Sequence, residues 1–146
     1  MGAMAYEHHV RVRYGETDQM GVVHHANYLL YMEEARTTLM RDRGCSYGEL
    51  EKQGIGMPVR RCDLRFRASA CYEDELVVRV SVVRMRAASV TFAYEIERRL
   101  DGAALVSATL ELACVDMAAT PRKPRMLPTE LRELFEATRA EANSGP

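Results

Sequence analysis

Between Glu16 and Tyr28 the chain reads E-T-D-Q-M-G-V-V-H-H-A-N-Y, a run that sets the carboxylate of Asp18 and the imidazoles of His24 and His25 on either side of Gly21. A carboxylate can attack a carbonyl or take a proton from water, and imidazole or backbone N–H donors can stabilise the negative oxygen that results. These are the parts that acyl transfer to water requires. No serine or cysteine lies within the run to serve as a nucleophile.

The elements on either side must hold those groups in place. Upstream, Val10, Val12 and Tyr14 alternate with Arg11 and Arg13, the period of a strand with one face on a core. Downstream the period changes. Tyr28, Tyr31, Met32, Ala35 and Leu39 recur at three and four residues, with Glu33, Glu34, Arg36, Thr37 and Arg41 assigned to the opposite side, which predicts a helix from near Ala26. Gly44 ends it, with Arg41 and Arg43 in the last turn. The loop therefore feeds a helix N-terminus, whose unpaired N–H groups carry partial positive charge.

The chain has 146 residues, enough for one domain and one core. Its formal charge of −1 argues against general nucleic-acid binding. Lysine occurs only at Lys52 and Lys123, so the cationic surface is mostly arginine, which can hold phosphates or simply face solvent. Cys45, Cys62, Cys71 and Cys114 show no paired spacing, so neither a zinc site nor a disulfide framework is expected, and a cytoplasmic setting fits. No apolar run is long enough for a membrane span, and the start lacks a signal-peptide or lipid-anchor pattern. Met1 to Ala3 read as a vector remnant. The expected organisation is a flexible segment over 1–7, a single domain over 8–141 and a flexible tail over 142–146.

Glu49 to Gly56 reads as a loop, and strands follow. Arg60, Cys62, Leu64 and Phe66 alternate with Arg61, Asp63, Arg65 and Arg67. After a turn at Tyr72 to Glu75, Leu76, Val78, Val80 and Val82 form a row. Val90, Phe92, Tyr94 and Ile96 form another, closed by Asp101-Gly102, a hairpin signal. Val106, Ala108, Leu110, Leu112 and Cys114 complete the fourth run, which ends at T-P-R-K-P-R-M-L-P, where prolines oppose a ladder. Thr129 is placed as the cap of a last helix reaching Glu141, with Leu131, Leu134, Phe135 and Thr138 inward. An early helix followed by antiparallel strands is an α+β layout.

Four patches in this order, R-Y-G-E-T-D-Q-M-G-V-V-H-H-A-N-Y-L-L-Y-M-E-E-A-R, L-R-F-R-A-S-A-C-Y-E-D-E-L-V-V, A-A-S-V-T-F and D-M-A-A-T-P-R-K-P-R-M-L-P, cover nearly the whole chain. Through them it resembles the hotdog-fold acyl-CoA thioesterases of the 4-hydroxybenzoyl-CoA thioesterase group, particularly the branch associated with bacterial Tol-Pal genes. The resemblance implies a five-stranded antiparallel sheet wrapped around one long helix. It also implies a site at the interface of a homodimer, commonly within a homotetramer. Asp18 matches the catalytic aspartate, nucleophile or general base, and His25 the position whose backbone N–H binds the thioester oxygen. Tyr14, Gly21, Glu33 and Ser89 match positions around the substrate. Met20 departs from the pattern, where small residues or proline-alanine pairs are usual, and so bears on pocket shape.

Each candidate also has a structural reading. Asp18 before a glycine can cap a turn. His25 can act through its backbone alone. His24 points elsewhere, and His8 and His9 read as an exposed strand start. Tyr28 reads as core with a hydroxyl that needs a partner. Met20, Met32, Met40 and Met57 read as adaptable core filling, with one or two open to an acyl pocket. Arg84, Arg86, Arg122, Lys123 and Arg125 are candidates for the coenzyme A phosphates, with a solvated face as the alternative. No metal or cofactor is expected, coenzyme A being part of the substrate. The expected reaction is hydrolysis of an acyl-CoA. The rivals are a hotdog hydratase or dehydratase, and a non-catalytic acyl-CoA-binding subunit.

Overall fold

The computed structural model describes residues 5–143. The reading of Met1 to Ala3 and the last part of the expected tail, 144–146, lie outside the described residues. The chain runs β1 (Tyr6–Arg11), a single 3-10 turn (Tyr14–Glu16), α1 (Ala26–Asp42), α2 (Tyr47–Lys52), β2 (Ile55–Gly56), β3 (Val59–Phe66) and β4 (Glu75–Arg86). It continues through β5 (Ser89–Arg98), β6 (Ala104–Ala113), β7 (Val115–Asp116), β8 (Lys123–Pro124) and α3 (Thr129–Asn143). The main sheet is antiparallel with five strands in the order β1-β4-β5-β6-β3, and β2, β7 and β8 form a small second sheet.

The alternating rows of β4, β5 and β6 are the core face. Leu76, Val78, Val80 and Val82, then Val90, Phe92, Tyr94 and Ile96, then Val106, Ala108, Leu110 and Leu112 are all buried. Against them α1 lays Tyr28, Tyr31, Met32, Ala35, Leu39 and Met40, and α3 lays Leu131, Leu134 and Phe135, the last edge-on to Phe92. Burying each large apolar side chain contributes about 1.5–3 kcal/mol. Ala35 is fully buried, so a larger residue there would overpack α1 at a cost of about 1–3 kcal/mol. The end of α1 is a Schellman arrangement. Gly44 takes φ +87, its N–H donates to Arg41 O, and Cys45 N–H reaches Met40 O.

Several local expectations fail for physical reasons. Tyr14 does not extend β1. It lies in the 3-10 turn and is 77% exposed, because the chain turns after the buried Val12. His8 is not a free strand start, since its ring meets Glu34 at 2.5 Å while Tyr6 OH donates to Asp42 at 2.5 Å, so β1 is sewn to α1. Burial, with that bond second, pushes the Tyr6 phenol up to about 12. Arg36, assigned to the solvent side of α1, is only 4% exposed. Its stem lies along the sheet, Nη1 donates to Tyr94 OH at 3.0 Å, and Nε has no acceptor among the described residues.

Glu49 to Gly56 is not a plain loop. Ser46 Oγ accepts from Glu49 N–H and starts α2, and β2 follows. The proline-rich segment still forms the two-residue ladder of β8 with β7. Thr129 is the first residue of α3 rather than its cap, and Arg132 N–H donates to Pro128 O. On β3 the row Cys62, Leu64 and Phe66 is largely uncovered, only Leu64 being half-buried. It is an edge strand of the main sheet, met by α1 at its Phe66 end.

Candidate active site

The loop between the 3-10 turn and α1 is a closed device of hydrogen bonds. Asp18 N–H donates to Val22 O, Gly21 N–H donates to Asp18 O, and Met20 N–H donates to Asp18 Oδ1 at 2.8 Å. Gly21 takes φ +79, which lets the chain reverse within this span. Thr17 and Val23 then pair across it. One carboxylate oxygen of Asp18 is thus fixed by the backbone, and Oδ2 accepts no hydrogen bond among the described residues.

Below the loop the helix entry is equally defined. Ala26 N–H donates to His24 Nδ1 at 3.2 Å, Asn27 N–H to His24 O and Tyr28 N–H to His25 O. Among the described residues the His25 N–H donates to no protein acceptor. The His25 ring is exposed and stacks on His24, with centroids 4.3 Å apart. A free amide at a helix N-terminus is a suitable donor for an oxyanion.

The wall comes from the end of β3 and the segment after it. Val23 N–H donates to Ala70 O and Ala70 N–H to Tyr28 OH at 3.0 Å, giving the buried hydroxyl its partner. Burial, ahead of any other cause, pushes the Tyr28 phenol up. Arg98 ties the same segment to the β5–β6 hairpin through Ser69 O, Asp74 and Asp101. The result is a cleft of about 290 Å³ lined by Asp18, Met20, Val22, Val23, His25, Tyr28 and Phe66 through Ser69. Phe66 leans on Tyr28, with centroids 5.9 Å apart.

Asp18, Met20 and His25 therefore meet in one cleft. Met20 is 80% exposed at its mouth, unlike the buried Met32, Met40 and Met57. Gly21 shapes the loop without lining the cleft. Tyr14 stands edge-on to Tyr72 at 5.5 Å, and Glu33 is exposed along α1; neither lines the cleft. Ser89 is buried at the start of β5, in a hollow of about 250 Å³ with Arg60, Arg86, Glu111 and Pro124. Lys123 and Arg125 bracket that proline, and with Arg122 they are exposed. Arg84 faces a different hollow, with Arg61, Asp63 and Glu111. Phe66 and the 67–69 wall were not singled out by chemistry-bearing residue types; their only signal was the quoted R-F-R-A-S-A patch. Among the described residues no group of three or more His, Cys, Asp or Glu side chains could hold a metal ion. No helix there is long and apolar enough to cross a membrane.

Comparison with known proteins adds to this geometry. A family model described as the thioesterase-like superfamily matches residues 12–135. The Bacillus subtilis protein YneP is 34% identical over 126 residues, 86% of each chain. The acyl-CoA thioester hydrolase YbgC of Escherichia coli O6:H1 is 32% identical over 127 residues, 87% of this chain and 92% of that one. Among solved structures, the DHNA-CoA thioesterase of Staphylococcus aureus superposes with a TM-score of 0.86 at 29% identity, covering 96% of this chain and 94% of the other.

Proposed function

The chain belongs to the thioesterase-like superfamily, and from that premise we propose that it hydrolyses acyl-CoA thioesters to the free acid and coenzyme A. The observation that carries the reading is the meeting of Asp18 and His25 in one cleft, the His25 N–H having no acceptor among the described residues. The names of the similar proteins support the same reaction. The thioester carbonyl oxygen lies on the His25 N–H, which stabilises it as it becomes negative. Asp18 Oδ2 attacks the carbonyl carbon, the C–S bond breaks, coenzyme A leaves as thiolate, and water opens the mixed anhydride. Alternatively Oδ2 takes the proton of a water that attacks directly. A thiolate leaves readily, so the sparse site needs no strong general acid, and this chemistry calls for no cofactor.

The working unit in this proposal is a homodimer, with a tetramer of two dimers as the larger assembly. Asp18 and His25 lie by the Phe66 end of β3, whereas Ser89, Arg86 and the Lys123–Arg125 segment lie by its Val59 end. At about 3.3 Å per residue the eight-residue strand separates the two groups by roughly 23 Å. Antiparallel pairing of two β3 edges about a two-fold covers the open edge and brings the cleft of one copy beside the cationic end of the other. There Ser89 contacts the substrate and the cations hold phosphates, while Tyr14, Gly21 and Glu33 act from the surrounding shell. The four free thiols suit a reducing cytoplasm.

Thiol release from a panel of short, aromatic and long acyl-CoAs tests the reaction. Asp18→Asn is expected to lower turnover about a hundredfold or more with folding intact. Unchanged turnover would remove Asp18 from the mechanism. Loss of enoyl absorbance from a crotonyl thioester without thiol release would point to a hydratase, and tight binding without turnover to a non-catalytic subunit.

A further inference from the structure

We propose that Glu16 is a positioning residue of this reaction, the brace that fixes Asp18 relative to the His25 N–H. The proposal rests on the Asp18–His25 reading above. Glu16 Oε1 accepts two hydrogen bonds, from Arg13 N–H at 2.8 Å and from Tyr31 OH at 2.9 Å. Its main-chain oxygen accepts two more, from His24 N–H at 2.9 Å and Asn27 Nδ2 at 2.8 Å. One half-buried residue thus clamps the segment leading into the loop, the segment leaving it, the helix entry and the second turn of α1.

The partners are themselves held firmly. Tyr31 is 3% exposed, and its phenol is pushed up by burial first and by Glu16 second, so the hydroxyl remains a donor. Thr17 pairs with Val23 immediately beyond the clamp, and Asp18 follows. Asp18 and His25 reach the cleft from opposite arms of the loop; Asp18 N–H to Val22 O joins those arms near the tip, and the bonds from His24 N–H and Asn27 Nδ2 to Glu16 O join them at the base. Displacing a reacting group by about 1 Å can cost a hundredfold in rate, so a brace at this point acts on turnover rather than on substrate affinity. Glu16 touches no reacting atom in this arrangement, since it does not line the cleft.

The carboxylate acts here as an acceptor, which a glutamine oxygen can replace. The expectation for thiol release is that Glu16→Ala lowers kcat about thirtyfold with KM changed less than about threefold, while Glu16→Gln stays within about threefold of wild type with an unshifted pH profile. Tyr31→Phe and Asn27→Ala each remove one strut and are expected to lower kcat about three- to tenfold at constant KM. They carry the test if Glu16→Ala does not fold. Amide hydrogen exchange in Glu16→Ala should quicken at Arg13 and His24. The proposal is overturned if Glu16→Ala or both single-strut variants keep kcat, if Glu16→Gln falls as far as Glu16→Ala, or if KM rises in place of kcat falling. Retained turnover in Asp18→Asn would sink the parent reading and this one together, whereas normal Asp18 dependence with unchanged strut variants would sink this one alone.

Discussion

The two ends of β3 are built from opposite chemistry. At the Phe66 end stand a carboxylate, an amide with no described acceptor and two aromatic rings, beside a loop tied by the N–H groups of Asp18, Met20, Gly21, Val23 and His24. At the Val59 end stand a buried serine and arginines, beside short two-residue strands and an exposed basic segment. In our reading the first end serves bond making and the second, more open, takes a large anion. A strand of eight residues keeps them apart within one chain, so the difference teaches that a complete site in our reading needs two chains.

That comparison breaks most sharply in a mixing experiment. Asp18→Asn and Arg86→Glu chains are each expected to be poorly active, but in a heterodimer one site receives Asp18 from one chain and Arg86 from the other. Co-refolding equal amounts should restore about a quarter of wild-type turnover, since about half of the dimers are mixed and each holds one intact site. No recovery would mean that each chain works alone. A smaller effect is expected from neutralising Arg122, Lys123 and Arg125 together. KM for acyl-CoA should rise about three- to tenfold with kcat kept, and an acyl-pantetheine lacking the phosphates should show no change.

The smallest effect concerns acid stability of the cleft end. The hydrogen bond from Arg99, with its charge and then His9 and Arg11 adding, holds the Glu75 carboxyl below its ordinary value. A depressed carboxyl contributes stability above the ordinary value and loses it as pH falls through the folded one. Glu75→Gln should therefore be slightly less stable than wild type near neutral pH, with the difference closing as pH drops below about 4 in urea titrations.

Where side chains repeat, the chain was legible. The rows of β4, β5 and β6, the inner stripe of α1 and its stop at Gly44 all followed from period and from one backbone-permissive residue. What escaped has no period. Ser46 starts α2 although the S-x-x-E spacing was present, because a six-residue helix is too short to show a stripe. Tyr14 continued an alternation that the backbone itself abandons. The family was legible from ordered patches, while the comparisons reach the family rather than its Tol-Pal branch. For the site, Asp18 and His25 could be named as neighbours in sequence, but the Phe66 wall and the bonds at Glu16 depend on which segments tertiary packing brings together. The outward placement of Arg84 and Arg86, with Met85 against the core, depends on a register shift between Val82 and Arg84 that no alternation announces.

The guanidinium of Arg36 offers room for engineering. It lies under α1 with a tyrosine hydroxyl as its only described hydrogen-bond partner and one nitrogen left over, away from the cleft. Replacing it and its partner together by apolar residues of similar volume, Arg36→Met with Tyr94→Phe, should leave turnover unchanged and range from neutral to about 2 kcal/mol more stable in urea titration. Arg36→Ala alone should be destabilising by about 1–3 kcal/mol, because it strands the tyrosine hydroxyl. A gain in that double variant would mark the core of this protein as holding a reserve of thermal tolerance that its present sequence leaves unused.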